Sequence, residues 1–328
     1  MRGLAWLGRR GGALIAIAVF AGLLVPPLAA LMKPLLLPAI LGPFVIALLR
    51  IDWRRLAHQL GRPLEIGAAL LWLLLISPVL VHLLLTPLGL PPPVHGGLVM
   101  MAAAPPLMAS GYLALLIGLD AALAVALTLV STALMPFTLP LVSLYLLGVD
   151  IDVPLTDLML RLAMVVGGCL ALAWLLRRLI PRTFIQRHAE PLDGLAVLGL
   201  LIFAIAIMDG VSALLLRQPG FALLCLLAVI GVNLVLQVTG SLAFAWLGRR
   251  GALTVGMCGG SGNFGLLLAA LTDRVSFELL LLVAAAQLPI YILPVIQRRL
   301  YRSWLSVSPP LPSPATPAGQ LGRKDAEG

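Results

Sequence analysis

The sequence predicts an all-α polytopic membrane protein with about ten transmembrane helices, arranged as two inverted five-helix repeats. Three observations predict this class: the composition, the distribution of basic residues and an internal repeat. Of the 328 residues, 61% are hydrophobic and only 11% are charged, and the mean hydropathy is +1.09. A soluble domain of this composition would lack a polar coat, whereas a membrane-spanning helix needs about 20 apolar residues.

Apolar stretches of suitable length follow one another along nearly the whole chain. The ten stretches are 12–32, 34–50, 65–86, 96–118, 121–147, 160–180, 194–215, 219–246, 252–272 and 277–297. Ionisable side chains lie almost entirely between these stretches or at their ends, and His82, near the end of the third, is the main exception. The composition therefore predicts a helix bundle embedded in a bilayer.

The basic residues predict the orientation of the bundle. With a cytoplasmic N-terminus, the inner loops collect 18 of the 22 basic residues: Arg2, Arg9, Arg10, Arg50, Arg54, Arg55, Arg62, Arg177, Arg178, Arg182, Arg187, Arg249, Arg250, Arg298, Arg299, Arg302, Arg323 and Lys324. The positive-inside rule then places both termini in the cytoplasm. The net charge of +9 follows from this topology, and no nucleic-acid partner is needed to explain it. We expect a multi-pass protein of the bacterial inner membrane.

Two of the apolar stretches are interrupted in a shared register. Pro105 and Pro106 interrupt the fourth, and the glycine-rich run 256–265 interrupts the ninth. A shift of 153 residues superposes Ser110 on Asn263, Asp120 on Asp273 and Pro136 on Pro289. We therefore predict a first repeat over 1–148 and a second, inverted repeat over 149–303. Duplicated, broken membrane helices are typical of secondary transporters.

The two breaks are the candidate functional site. An unwound segment in hydrocarbon leaves N–H and C=O groups unsatisfied unless protein or water contacts them, so a break normally lines a cavity. The half-helix that follows each break starts near the midplane, with its positive end towards the crossing of the two copies. Two such ends favour a small anion, while the carbonyl ends of the first half-helices favour a cation.

The candidate residues fall into three groups. The expected substrate ligands are Ser110, Gly111, Tyr112, Gly260, Ser261, Gly262 and Asn263, with Ser110 and either Ser261 or Asn263 as helix N-caps. The expected ion ligands are Thr128, Thr132, Cys258 and Gln287. The residues that break the helices are Pro105, Pro106, Gly256, Gly259 and Gly265. Each polar side chain near the breaks, Ser131 included, has the alternative explanation that it is a hydrogen-bonding group of helix packing.

These residues also carry a family resemblance. The segment 104–120, with Thr128, Ser131, Thr132, Pro136 and Pro140 after it, resembles the fourth and fifth helices of the bile acid:sodium symporter family. The run 263–266, Asn-Phe-Gly-Leu, is similar to the Asn-x-Gly-Leu of that family's ninth helix. The resemblance spans about residues 10–300. It implies a panel of helices 1, 2, 6 and 7 that moves against a core of helices 3–5 and 8–10. It further implies an organic anion as substrate: a bile acid, a steroid sulfate or a small carboxylate.

The chain departs from the sodium-coupled members at the ion ligands. Those members pair Ser with Asn after the first break and carry E-x-G-x-Q-N in the second, whereas this chain has Ser110-Gly111 and a Cys258–Asn263 run without Glu or Gln. Ala124 stands where a serine ligand is expected. Hard cations prefer oxygen ligands that include a carboxylate. We therefore expect transport with weak or no sodium dependence, as facilitated diffusion or with Asp120 or Asp273 as a proton carrier.

Other functions remain open at this point. A sodium-coupled symporter would need a weak site built from backbone carbonyls, Thr128 and Ser110. An arsenite-type exporter would use Cys258 as a soft ligand, and a non-transporting receptor would leave both breaks unexplained. The run 260–265 matches G-x-G-x-x-G, but its flanks are membrane helix, so it predicts close helix packing or a break and no dinucleotide site.

The sequence predicts no enzyme and no cofactor beyond a coupling ion such as Na⁺ or H⁺. A membrane-embedded enzyme would need a nucleophile with a base, or carboxylates or histidines at depth. All four histidines fall at loops or helix ends (His58, His82, His95 and His188), and the three cysteines form no disulfide framework or metal motif (Cys169, Cys225 and Cys258). We expect the partners to be a small organic anion and the lipid bilayer.

The ends of the chain complete the predicted organisation. The basic start and apolar run of residues 1–30 also resemble a cleaved signal peptide. The five-plus-five helix count favours a retained first helix. The Pro/Ser/Ala-rich segment 304–328 predicts a disordered cytoplasmic tail.

Overall fold

The computed structural model describes residues 14–15, 17–147, 155–271 and 277–306. Over these residues every regular element is helical, apart from one isolated bridge between Pro106 and Gly262. The helices up to residue 147 are α1 (17–24), α2 (Pro26–Met32), α3 (Leu36–Leu49), α4 (Trp53–Leu60), α5 (Pro63–Leu71), α6 (Ser77–Leu85), α7 (Pro92–Ala103), α8 (Ser110–Ile117) and α9 (Ala121–Leu147). The remaining helices are α10 (Leu155–Leu179), α11 (Arg182–Arg187), α12 (Ala189–Ala206), α13 (Val211–Arg217), α14 (Pro219–Ala243), α15 (Gly248–Gly260), α16 (Phe264–Leu271) and α17 (Phe277–Ser306).

Several of these helices join into stretches that are long and apolar enough to cross a membrane. Six such stretches lie in the described part of the chain: Pro26–Leu49, Pro63–Leu88, Ala121–Leu147, Leu155–Leu179, Ala189–Arg217 and Pro219–Ala243. The short helices α7, α8, α15 and α16 make up the fourth and ninth predicted stretches. The apolar part of α17 is Glu278–Ile290. The protein is therefore an integral membrane protein built from helices.

The boundary between the first two predicted helices is wrong by several residues. The sequence predicts helices over 12–32 and 34–50, but the chain leaves the helical conformation at Val25, where φ is −123° and ψ is 76°. Pro26 and Pro27 then occupy the first turn of α2, where proline fits because that turn needs no N–H donor. A single 3₁₀ turn at Lys33–Leu35 continues the helical course into α3.

Helices α3 and α12 pack side by side in opposite directions. Lys33, just before α3, donates to Asp209, just after α12, at 2.8 Å. At the other end Arg50, just after α3, forms an ion pair with Asp193 in the first turns of α12. Two charge pairs at opposite ends fix the antiparallel arrangement of this helix pair.

The packing divides the helices into two groups. In the first group α2 and α3 pack against α12, and α10 packs against α3. In the second group α14 packs against α15 and α17, α6 against α7, and α8 against α9. The groups meet where α10 and α3 contact α16 and where α10 contacts α9.

Some predictions fall partly or wholly outside the described residues. The boundary between the predicted repeats, at 148–149, lies there, and so do Asp273 and the tail from residue 307 onwards. Residues 304–306 belong to α17, so helix extends slightly into the segment predicted to be the tail.

Candidate binding site at two helix breaks

Both apolar segments are interrupted within the regions that the sequence predicts. Helix α7 ends at Ala103 and α8 begins at Ser110. Ala104 is extended, with φ −72° and ψ 142°, because the proline that follows disfavours the α conformation. In the second segment α15 ends at Gly260 and α16 begins at Phe264.

The two breaks satisfy each other's backbone groups. Leu107 N–H donates to Ser261 O at 2.9 Å, and Asn263 N–H donates to Pro105 O at 2.7 Å. Together they form the antiparallel bridge of the fold. These bonds remove part of the cost of unwound backbone in an apolar surrounding.

Glycine at position 262 permits this close approach. A Cβ atom on Gly262 would lie 2.3 Å from the backbone oxygen of Met101, in the last turns of α7. Because a backbone atom cannot move aside as a side chain can, the crossing excludes any larger residue here. Gly262 is thus a contact residue of the two breaks.

Ser110 carries a buried hydroxyl with no hydrogen-bond partner. The residue is 0% exposed, and its Oγ contacts no donor or acceptor. It is the first residue of α8, and Ala109 holds the cap position, so the predicted N-cap role of Ser110 is wrong. A buried polar group without a partner costs about 1–3 kcal/mol. The hydroxyl at the first break therefore keeps an unused hydrogen-bonding capacity in this conformation.

Asn263 is the residue that caps the second half-helix. Its Oδ1 accepts the N–H of Gly265 at 3.1 Å, as an N-cap side chain does. Ser261 is 2% exposed, and its hydroxyl donates instead to Met257 O at 2.7 Å. The cap uses only the amide oxygen of Asn263, and its amide nitrogen supplies two further donors.

Three of the predicted ion ligands, Thr128, Thr132 and Gln287, are buried, and each has a partner on its own helix, as does the neighbouring Ser131. Thr128 donates to Ala124 O at 2.8 Å and Thr132 to Thr128 O at 2.6 Å. Ser131 donates to Leu127 O at 2.6 Å, and Gln287 donates to Val283 O at 3.1 Å. These bonds match the helix-packing explanation. The bonds use the hydroxyl protons of the Ser and Thr residues and an amide N–H of Gln287. The side-chain oxygens keep lone pairs that can accept hydrogen bonds.

The break in the second segment is shorter than the sequence predicts. Gly256 and Gly259 lie inside α15 and Gly265 lies inside α16, so their assignment to the unwound segment is wrong, and Gly260 is the last residue of α15. A Cβ on Gly256 would lie 2.3 Å from the backbone oxygen of Gln237 in α14. Gly256 and Gly260 allow α15 to pack closely against α14. This is the close packing through small residues that the sequence left open as the alternative to a helix break.

The residues that follow Ser110 have other surroundings. A Cβ on Gly111 would lie 2.4 Å from Cγ2 of Val125, so Gly111 allows α8 to pack on α9. Tyr112 is 48% exposed, whereas Ser110 is fully buried. Side chains two positions apart on a helix point to nearly opposite faces. The structure therefore does not bring the Tyr112 side chain together with Ser110.

A polar chain that sequence reasoning missed supports the second break. Asn233 Nδ2 donates to the carbonyl oxygen of Gly260, the last residue of α15. Gln237 Nε2 donates to Asn233 Oδ1 at 2.6 Å, and Tyr301 O–H donates to Gln237 Oε1 at 3.0 Å. All three residues are buried. The signal in the sequence was an Asn and a Gln four residues apart in an otherwise apolar helix, where polar residues are rare.

Cys258 and Asp120, the thiol and the carboxylate near the breaks, lie in different environments. Cys258 is 1% exposed in α15. Among the described residues, no three His, Cys, Asp or Glu side chains lie close enough to hold a metal ion together. Asp120 Oδ1 accepts the N–H groups of Ala122 and Leu123, both at 3.0 Å, so this carboxylate caps α9. Asp120 N–H also donates to Thr254 of α15.

The two breaks lie where the two helix groups meet. A Cβ on Gly265, at the start of α16, would lie 3.3 Å from a side-chain carbon of Ile40 in α3. Helix α10 packs against α16 as well. A relative movement of the two groups would therefore alter the surroundings of the breaks directly.

Interrupted, mutually bonded helices within an apolar bundle are the architecture of membrane transporters. Residues 34–218, more than half of the chain, match the Sodium Bile acid symporter family, and the chain belongs to this family of membrane transporters. The match confirms the resemblance found in the sequence and agrees with a transporter rather than an enzyme. It includes the first break and ends before the second. The comparison with curated proteins found no match.

Proposed function

We propose that the protein is a secondary carrier for a small organic anion, which binds where the two helix breaks meet. The observation that carries the proposal is the unpartnered, fully buried Ser110 hydroxyl beside two breaks that bond to each other. A buried hydroxyl without a hydrogen-bond partner is costly, so a ligand that accepts a hydrogen bond from it gains binding energy there.

The charge distribution at the breaks favours an anion. Helices α8 and α16 both begin at the breaks, and a helix N-terminus carries a partial positive charge. The Ser110 hydroxyl and the Asn263 amide nitrogen add neutral donors. A carboxylate, sulfate or sulfonate group would accept from all of these, in agreement with the organic anions that the family resemblance implies.

The helix positions support an inverted repeat. Equivalent helices begin 153 to 156 residues apart: Leu36 and Ala189, Ser110 and Phe264, Ala121 and Phe277. The pair α3 and α12 runs antiparallel, and the breaks meet in an antiparallel bridge. We propose ten spanning helices in two inverted repeats, 1–148 and 149–303, whose broken fourth and ninth helices cross at the midplane. Both termini then face the cytoplasm of a bacterial inner membrane.

Transport requires a state in which the breaks are open. Ser110 and Ser261 are each at most 2% exposed, so the conformation described here is closed at those two side chains. In the proposed cycle the group of α2, α3, α10 and α12 moves against the rest and opens the crossing to each side in turn. A coupling ion drives accumulation only if it binds the two access states differently.

We propose that sodium couples to this cycle weakly or not at all. Position 258 in α15 carries a buried cysteine where the sodium-coupled pattern has a glutamate, and Thr128 and Gln287 have partners on their own helices. The competing function is sodium symport, which the name of the family favours. In that case the lone pairs of Thr128 and Ser110, with break carbonyls, would hold the ion.

Uptake into proteoliposomes tests both parts of the proposal. The probes are labelled representatives of three classes: a bile acid, a steroid sulfate and a small dicarboxylate. We expect at least one to enter faster than into protein-free liposomes. Replacing external sodium by potassium or choline should change the initial rate by less than about twofold, since no differential sodium binding drives the cycle.

Two results would count against the proposal in different ways. A collapse of uptake on sodium removal would establish a symporter and refute the weak coupling. Uptake of none of the three classes above the protein-free background would refute the organic-anion carrier.

A further inference from the structure

A basic cavity lies away from the helix breaks, at the ends of α3 and α10. It has a volume of about 600 Å³, and Arg50, Arg54, Arg177, Arg182 and Gln186 line it together with Trp53. A second cavity of about 470 Å³ shares Trp53, Arg177 and Arg182 with it. The two cavities therefore lie next to each other, and we call them the arginine chamber and its side groove.

Backbone and aromatic contacts hold the arginines of the chamber in place. Arg177 donates to Leu48 O at 3.3 Å and to Ile51 O at 3.2 Å, and its guanidinium lies 5.6 Å from the centre of the Trp53 ring. These contacts orient the guanidinium without cancelling its charge. An arginine held in this way loses little conformational freedom when it binds an anion.

The chamber carries excess positive charge. Asp193 pairs with Arg50, and Asp52 is the acidic residue that lines the chamber, with its Oδ1 accepting the backbone N–H of Arg54. Burial lowers the pKa of Arg50 from its ordinary value, but arginine stays protonated in proteins. Four arginines thus stand against two carboxylates, Asp52 and Asp193, and the remaining positive charge suits an anionic ligand with several acceptor oxygens.

The position of the chamber indicates which anion it binds. Arg50 directly follows the apolar stretch Pro26–Leu49, and Arg177 and Arg178 end the stretch Leu155–Leu179. The ends of such stretches mark the boundary between the hydrocarbon and the headgroups of a bilayer. The chamber therefore lies at headgroup level, where a lipid phosphate is present at high local concentration.

The side groove leads from the chamber towards the apolar part of the bundle. Leu48, Leu170, Ala173 and Trp174 line it, and Arg178 stacks on Trp174 at 4.1 Å. Trp174 is 56% exposed and lies near the end of the apolar stretch Leu155–Leu179. Aromatic side chains of this kind favour the bilayer interface. A charged chamber next to an apolar groove matches the two parts of a phospholipid, whereas a soluble anion would use the chamber alone.

We propose that the arginine chamber binds the phosphodiester headgroup of one anionic phospholipid, whose acyl chain lies in the side groove along α10. Arg54 and Arg182 contact the phosphate oxygens, and Gln186 contacts the glycerol hydroxyls. The lipid joins the ends of α3, α10 and α11 and stabilises their packing. This site is separate from the helix breaks and does not depend on which anion is transported.

The test compares the thermal stability of the full chain in nanodiscs of phosphatidylcholine with and without added phosphatidylglycerol. We expect phosphatidylglycerol to raise the Tm of the wild-type protein in a saturable manner. Arg54→Gln with Arg182→Gln should weaken the apparent affinity about 30-fold, because each basic residue near an anionic headgroup contributes several-fold to binding. Arg187→Gln is the matched control, since Arg187 lies on the same helix as Arg182 but lines neither cavity.

Three results would refute the lipid proposal. An unchanged response in the double variant, or an equal loss in Arg187→Gln, would refute specific binding in the chamber. Glycerol phosphate or inorganic phosphate is added to phosphatidylcholine nanodiscs in parallel. A Tm increase from either soluble ion that matches the effect of phosphatidylglycerol would assign the chamber to a free anion and overturn the lipid proposal.

Discussion

Asn263→Leu should reduce the initial rate of anion uptake about 10- to 100-fold. The change removes the two amide N–H donors of Asn263 and the oxygen that accepts Gly265 N–H. Losing a buried polar partner costs about 1–3 kcal/mol, which corresponds to a rate or affinity change of this size. The measurement is uptake into proteoliposomes of the anion that the wild-type protein transports best, normalised to inserted protein.

The variant Asn263→Asp separates ligand binding from helix capping. Aspartate caps a helix as well as asparagine does, so α16 keeps its N-cap and the Tm in detergent should stay close to wild type. The carboxylate has no N–H donors, however, and repels an anion, so uptake should fall as far as in Asn263→Leu. Normal uptake by Asn263→Asp would show that Asn263 serves only as a cap and would remove it from the substrate site.

Gly262→Ala should destabilise the whole protein. The new methyl group would lie 2.3 Å from Met101 O, so the two breaks must separate. Overpacking costs about 1–3 kcal/mol, and the bonds Leu107–Ser261 and Asn263–Pro105 contribute about 0.5–1.5 kcal/mol each. We expect a clearly lower Tm and a loss of uptake together.

Gly231→Ala is the matched control for this substitution. Gly231 lies in α14, and a Cβ there would meet no atom within 4 Å. Alanine is favoured over glycine in a helix by about 1 kcal/mol, so this variant should be as stable as wild type or more so. If Gly262→Ala behaved like Gly231→Ala, the close contact between the breaks would be absent from the native state.

Local features of the chain were predictable from the sequence. Apolar stretches predicted the spanning helices, because the bilayer demands about 20 apolar residues whatever the tertiary contacts are. The break at Pro105 and Pro106 was predictable for a similar reason, since proline cannot donate to the helix ladder. The bend at Val25 was missed because Lys33, the polar residue nearest the expected loop, was taken as the boundary.

Features that depend on neighbouring helices were not predictable in the same way. The run 256–265 contains glycines for two different reasons: Gly256 packs against α14, while Gly262 contacts the other break. Sequence alone does not distinguish them, because both reasons require only a missing side chain. The chain Asn233–Gln237–Tyr301 joins residues of two helices and emerges only when α14 and α17 are packed together.

The arginines illustrate the same limit. From the sequence they were a signal of orientation, since basic residues collect in cytoplasmic loops. The fold brings Arg50 and Arg54 together with Arg177 and Arg182, more than 100 positions away in the chain, around one chamber. The same basic residues that predict the membrane topology therefore also form the proposed lipid site.

The central claim is that the two helix breaks form a binding site that opens to each side of the membrane in turn. The most direct test is the reactivity of Ser110→Cys, in a chain with Cys169, Cys225 and Cys258 replaced by alanine, towards a membrane-impermeant thiol reagent. We expect labelling in both right-side-out and inverted vesicles and slower labelling with the transported anion present. Ala114→Cys, equally buried one turn further along α8, should stay unlabelled. Labelling of Ser110→Cys from neither side, or from one side only, would contradict alternating access at the breaks.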